Sequence, residues 1–195
     1  MKRIVLIDGE NLVYGLRHLL GTNDTMADRT VITGFNFRGL IEDILADNTP
    51  SEILWFGARL RIYAQSEEIR VKSESAVRQQ SYFSNEIQKQ KITFIKIGYL
   101  RAREVELRSG GTEWKLTEKG VDVGLAVRIV TEANPNTEIV VVSADTDLLP
   151  AFSAAAKLGA KIIHIGYEYR PIASLSRAAN ATRTITIPLA QKYKK

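Results

Sequence analysis

The sequence predicts an α/β fold with a mainly parallel sheet, and three observations carry that reading. Two short runs, Ile4-Val5-Leu6-Ile7 and Ile139-Val140-Val141-Val142, have the unbroken apolar, β-branched character of strands buried on both faces. Such runs alternate along the chain with helix-like segments, the pattern of βαβ units. The 195 residues, 45% of them hydrophobic, suffice for a core without covalent staples. One domain over residues 1–195 is expected, without repeats or low-complexity segments.

The elements follow in order. Lys2–Asp8 reads as a buried strand ending at Asp8-Gly9, and Glu10–Leu20 as a helix stopped by Gly21. Thr22–Gly34 is polar and aperiodic, hence a mobile loop. Phe37–Ala46 reads as a short helix, Ile53–Ala64 as a strand, and Glu67–Gln90, long and free of Gly and Pro, as a helix. Ile92–Ile97 alternates as a strand. Leu100–Arg108 and Thr112–Leu116 flank Ser109-Gly110-Gly111, a hairpin signal. A helix over Gly120–Ala133 is ended by Asn134-Pro135. Thr137–Ser143 is a strand, Asp147–Leu158 a helix closed by Gly159, and Lys161–Gly166 a strand. Ala173–Asn180 reads as a short helix and Thr182–Ile187 as the last strand.

Charge is unevenly placed. The net +5 arises in residues 59–119, which hold 13 Lys and Arg against 8 acidic residues, all Glu. The flanks balance and carry all eight Asp residues. The basic stretch includes Arg59, Arg61, Lys89, Lys91, Lys96, Arg101, Arg103 and Arg108, with Tyr63, Tyr82, Tyr99 and Trp114 interleaved. Cations among aromatics suit a phosphate backbone and unstacked bases, although a solvated helix face gives the same composition.

Much chemistry is excluded. With no cysteine there are no disulfides, thiolate zinc sites or cysteine nucleophiles. Two histidines, His18 and His164, make neither a His-rich metal site nor an expected Ser-His-Asp triad, and both are read as packing or surface residues. No phosphate-binding glycine loop, dinucleotide fingerprint or nucleophile elbow is present. No apolar run approaches the ~20 residues of a membrane span. Asp8 comes too early for a signal peptide's apolar region, so a cytoplasmic protein is expected.

The carboxylates carry the positive signal. Ligands of open parallel sheets bind beyond the carboxyl ends of the strands. Asp8 ends the first strand, while Asp145 and Asp147 follow Ser143 in Ser143-Ala144-Asp145-Thr146-Asp147. Asp122 stands in the first turn of its helix, with Ala126 and Ile129 at i+4 and i+7, which predicts a packed face. Helix capping would explain Asp145 and Asp147 alone, and a turn would explain Asp8. Their coincidence at two strand ends and one helix start favours a pocket for a hard divalent cation, Mg²⁺ or Mn²⁺.

At these residues the sequence resembles the NYN domains, relatives of the PIN-domain nucleases, in their LabA-like branch. The matching blocks are Ile7-Asp8-Gly9-Glu10-Asn11-Leu12, Lys119-Gly120-Val121-Asp122-Val123-Gly124-Leu125, and Val142-Ser143-Ala144-Asp145-Thr146-Asp147-Leu148-Leu149-Pro150. A weaker block runs from Gly159-Ala160-Lys161-Ile162 through Ser174-Leu175. The resemblance implies a PIN-like three-layer α/β/α domain with the hairpin as an insertion, an acidic site for Mg²⁺ or Mn²⁺, and RNA as substrate. Matched residue by residue, it assigns the metal-binding and catalytic positions to Asp8, Asp122, Asp145 and Asp147. Asn11 becomes the polar partner of Asp8, Ser143 steadies the acidic loop, Lys119 neutralises phosphate, and Glu10 is a spare ligand. Two positions depart from the pattern: Arg128 stands where many relatives carry a second helix acid, and Asn180 where an Asp is common.

The leading expectation is therefore a metal-dependent ribonuclease whose strand is held by Arg59, Arg61, Lys96, Arg101, Arg103 and Arg108. The RNA could be single-stranded or structured, no membrane partner is expected, and the oligomeric state is left open, a homodimer included. A non-catalytic RNA-binding module is the alternative, favoured by Arg128 and Asn180. A haloacid dehalogenase-type phosphatase ranks below both, because Asp8-Gly9-Glu10 lacks the second Asp that chemistry needs after the first strand.

Overall fold

The structure, a computed structural model, describes residues 1–21, 34–47, 49, 51–107 and 110–194. Residues 22–33 of the expected loop, Arg108 and the turn residue Ser109 lie outside the described residues.

The sheet has seven strands in the order β4-β3-β2-β1-β5-β6-β7, where β1 is Lys2–Asp8, β2 Ser51–Arg59, β3 Thr93–Glu106, β4 Thr112–Lys119, β5 Thr137–Val142, β6 Lys161–Tyr167 and β7 Ala181–Ile185. Every neighbouring pair is parallel except β3–β4. The most apolar runs take the centre, as their sequence requires: Ile4–Ile7 of β1 and Ile139–Val142 of β5 are inaccessible to solvent. Alternate residues face opposite layers, so each strand feeds two cores. Val5 and Ile7 pack beneath α1 (Gly9–Leu19), α2 (Phe37–Leu45), α3 (Glu67–Lys89) and α7 (Ile187–Tyr193). Ile4 and Leu6 pack beneath α4 (Val121–Glu132), α5 (Leu149–Lys157) and α6 (Ala173–Ala178). The result is the three-layer α/β/α architecture.

The chain leaves β1 toward β2, β3 and β4, then crosses back through α4 to β5 on the other side of β1. The carboxyl ends of β1 and β5 therefore form the topological switch point, where parallel sheets open a crevice. Gly9 is what allows α1 to start there: a Cβ on it would lie 2.1 Å from Trp55 Nε1 and 2.5 Å from the Phe56 carbonyl oxygen.

Three elements differ from the sequence reading. β2 stops at Arg59 rather than Ala64, because Tyr63 turns inward, with its amide donating to Ser73 Oγ (3.0 Å) and its hydroxyl to the Leu100 carbonyl. The two segments expected on either side of residue 98 are one strand, β3, which absorbs a bulge at Gly98 (φ 62°). Helix α7 escaped the reading; Thr186 caps it, accepting from the Leu189 amide, and Pro188 is tolerated in its first turn.

Candidate metal centre

The crevice is built from backbone outward. Asp8, 6% exposed, is both the last residue of β1 and the N-cap of α1, and its Oδ1 accepts the Asn11 amide (3.1 Å). Its Oδ2 accepts the Ser143 hydroxyl (3.0 Å). The same Ser143 Oγ accepts the Asp145 amide (3.1 Å), while Asn11 Oδ1 accepts the Ala144 amide (3.0 Å). Two crossing links thus lock the β1–α1 corner to the loop after β5. Within that loop, Asp145 Oδ1 caps a 3₁₀ turn over Thr146–Leu148 by accepting the Asp147 amide (2.9 Å). The capping alternative therefore holds for Asp145, and its cap shapes the acidic loop.

Asp122 enters from the first turn of α4, just after β4. The expected packed face is corrected here: Val121, Gly124, Leu125 and Ile129 are the buried residues, and Asp122 is exposed. Helical phase explains this, because the buried stripe runs through 121, 125 and 129, placing Asp122 on its flank.

Electrostatics join these groups. Burial, opposed by hydrogen bonds from Asn11 and Ser143 and aided by the charges of Asp122 and Asp145, pushes the Asp8 carboxyl up to about 6. Partial desolvation raises Asp122 as well, followed by repulsion from Asp145 and Asp147. All four carboxylates therefore share one field, and among the described residues none of them forms an ion pair with Lys, Arg or His. Among the described residues no three His, Cys, Asp or Glu side chains already stand at metal-holding separations. Both Asp8 oxygens and one of Asp145 are turned to protein donors instead. The donor set is oxygen only, with repulsion between its members, and among the described residues it is paired with no protein cation, which fits a hard divalent ion.

Two residues of the site escaped sequence reasoning. His164, 1% exposed, lies in β6, and its Nε2 is 2.8 Å from the Ser143 carbonyl oxygen. Burial holds its pKa below the ordinary value, so the ring is neutral and donates its Nε2 hydrogen. Tyr167, at the end of β6, is fully buried against Gly15, and its hydroxyl has no hydrogen-bond partner among the described residues. Its pKa is pushed up first by burial and then by the charge of Asp8. The available signal was a histidine inside the apolar run Ile162-Ile163-His164-Ile165, next to a strand whose end carries the acids.

The remaining expected residues separate. Glu10 is half-buried in the first turn of α1, and Lys119 is exposed at the end of β4, three positions before Asp122. Arg59 donates from Nε to the Lys96 carbonyl (3.1 Å), and the Arg61 guanidinium lies 4.6 Å from the Tyr63 ring centre. Lys96, Arg101 and Arg103 are exposed. Tyr63, expected among the base-facing aromatics, is buried, whereas Tyr82 and Tyr99 are exposed. Both departing positions are engaged elsewhere. Arg128 pairs with Glu132 (2.6 Å), which also holds Lys2 (3.1 Å) at the start of β1. Asn180 accepts the Ile162 amide (2.7 Å) at the start of β6, the opposite end of the sheet.

The seven-stranded, mainly parallel α/β/α fold, with Asp8, Asp122, Asp145 and Asp147 near its switch point, is that of a PIN-like domain. The NYN domain model matches residues 2–187, and the chain belongs to that family. NYN domains stand within the PIN-like nuclease superfamily, whose members generally use divalent ions, and they generally act on RNA. In fold the chain is similar to the crystal structure of VPA0982 from Vibrio parahaemolyticus, a protein of unknown function. That likeness has a TM-score of 0.60 at 14% identity and covers 94% of this chain and 92% of the other. No curated protein matches the chain. Among the described residues no helix is long and apolar enough to cross a membrane.

Proposed function

We propose that the protein is a metal-dependent ribonuclease that hydrolyses RNA phosphodiester bonds at Asp8, Asp122, Asp145 and Asp147. The observation that carries the reading is the shared, uncompensated negative field of these four groups at the switch point, with Asp8 raised to about 6. Mg²⁺ or Mn²⁺ held there would activate a water and offset charge on the phosphodiester. The chain's own contribution is positional. Ser143 and the Asn11 amide hold the buried Asp8 carboxylate in one rotamer, and Asn11 and Ser143 together set the loop that presents Asp145 and Asp147. His164 fixes the Ser143 carbonyl from behind. Lys119, at the mouth of α4, would hold a phosphate oxygen near Asp122, while Glu10 borders the same corner. Arg59, Arg61, Lys96, Arg101 and Arg103 hold the strand outside the pocket.

The purified protein is expected to cleave single-stranded RNA with Mn²⁺. Asp145→Asn should lower the rate at least about a hundredfold, since even groups behind metal ligands are worth 10–100-fold. Cleavage that survives both EDTA and Asp145→Asn would refute the assignment.

A further inference from the structure

β3 outruns the sheet. It pairs with β2 only as far as Tyr99, opposite Arg59, and continues to Glu106 paired with β4 alone. Since β3 runs parallel to β1 and β2, this two-stranded arm projects past the carboxyl ends of the strands, the end where Asp8 lies. Its length from Tyr99 to Glu106 is roughly 24 Å at ~3.4 Å per residue.

The arm has two unlike faces. Directly opposed residues of an antiparallel pair share a face. One face holds Tyr99 with Lys119, Arg101 with Thr117, Arg103 with Lys115, and Val105 with Glu113. The other holds Leu100 with Glu118, Ala102 with Leu116, and Glu104 with Trp114. Near the root the second face is covered: Leu100, Ala102, Leu116 and Glu118 are half-buried, and Glu118 accepts the Ala58 amide (3.3 Å). On the first face Tyr99, Arg101, Arg103, Lys115 and Lys119 are exposed. Its one carboxylate, Glu113, is flanked by Lys72 (3.6 Å) and Lys115 (3.9 Å). Arg101, Arg103 and Lys119 form no ion pair among the described residues, whereas Arg70, Lys72 and Lys89 of α3 are each paired with Glu.

The arm is also fixed relative to the acids. Gly98, at φ 62°, lies against the β4–α4 junction so closely that a Cβ would sit 2.3 Å from the Lys119 carbonyl oxygen and 2.9 Å from the Val121 amide nitrogen. Two residues beyond Lys119 the same junction becomes the first turn of α4, which carries Asp122.

We propose that this exposed ribbon face is a guide for single-stranded RNA, gripping the phosphates through Arg103, Lys115, Arg101 and Lys119 and delivering the strand to Asp122. The proposal rests on the ribonuclease reading for the identity of the strand. Side chains two positions apart along a strand stand ~6.7 Å apart, so the face presents a ladder of cations, not a single anion site. Tyr99 at its root selects an unpaired strand, because only an unstacked base can lie on its ring. Duplex RNA, read by shape across its minor groove, would gain nothing from Tyr99.

The test is binding of a fluorescent oligouridine of about 20 nucleotides to the full chain in EDTA, where cleavage plays no part. Arg101→Glu with Arg103→Glu is expected to weaken binding at least about tenfold and to flatten the slope of log K against log salt by about 1.4, the loss of two single-strand phosphate contacts. Lys115→Glu with Lys119→Glu, on the other strand, should do the same, which guards against a folding defect in either pair. Lys157→Glu with Arg177→Glu, which changes the net charge equally at the opposite end of the sheet, should change binding by less than about twofold. Tyr99→Ala should cost about fivefold or more on the single strand and leave a duplex of equal length unaffected. Unchanged binding in both arm pairs, an equal loss in the Lys157/Arg177 control, or a duplex bound as tightly as the single strand overturns the guide. Arm-dependent binding by a protein that never cleaves with Mn²⁺ refutes the nuclease reading and leaves the guide standing.

Discussion

The two ends of the sheet treat buried charge in opposite ways. At the amino end, Glu138 on β5 is 1% exposed, yet hydrogen bonds from Lys161 and Arg3 overcome its burial and hold its pKa below the ordinary value. Arg3, itself 7% exposed, also grips Asp47, and that contact lowers the Asp47 carboxyl. Each charge there has an opposite neighbour. At the carboxyl end of the same two strands, Asp8 and Asp122 are raised and face other carboxylates. Among the described residues the chain balances ions at one end and pairs none of the four aspartates at the other, about 20 Å away along seven-residue β1, a contrast that supports the proposed cation site.

Breaking each end in turn should give opposite signs. The largest effect is expected from Glu138→Ala, which strands Arg3 and Lys161 and should destabilise the protein by about 3–5 kcal/mol, read as the shift of a denaturant midpoint. Asp8→Asn also removes a buried carboxylate and should do the reverse. With its pKa near 6 in the folded state against an ordinary 3.8, Asp8 binds more protons folded than unfolded between those values. Stability is therefore lost as pH rises through that window and stays lower above it. Without divalent ions, Asp8→Asn should stabilise by on the order of 2 kcal/mol at pH 7, and the gain should vanish near pH 4. Calorimetry at the two pH values decides it. A loss of stability in Asp8→Asn at pH 7 would mean that the carboxylate is compensated after all, and the contrast between the ends would collapse.

The sequence showed much of this and hid the rest for identifiable reasons. Apolar runs such as Ile4–Ile7 announce central strands because burial on both faces leaves no polar positions. The positions of Asp8 and Asp145 were legible because one follows such a run directly and the other lies three residues past one, beyond a strand end. Asp122 was placed on the correct turn but the wrong side, because a period of 3.6 cannot be phased from two neighbours when the flanking Val121 and Leu125 set the stripe. The long arm of β3 was divided in two, since Gly98 reads as a break and acts as a bulge. His164 and Tyr167 stayed hidden because their roles depend on β6 lying beside β5, a pairing fixed by topology and not by any local pattern.

Arg128 supplies the smallest and most discriminating test of the contrast. The NYN resemblance expects an acid at its position, so it could have supplied a cation to the carboxyl end, or gripped phosphate there. In the structure its guanidinium is bound to Glu132, four residues further along α4, and Glu132 also receives Lys2. A lysine at the first position of β1 lies at the balanced end of the sheet, so Arg128 is drawn into that network and away from Asp122. Arg128→Ala should then change RNA cleavage by less than about twofold and cost no more than about 1 kcal/mol, the range of a partly exposed i,i+4 pair. A several-fold rise in KM at constant kcat would place the guanidinium on the RNA. A rise in cation affinity would place it beside the aspartates, and the carboxyl end would no longer be the uncompensated one.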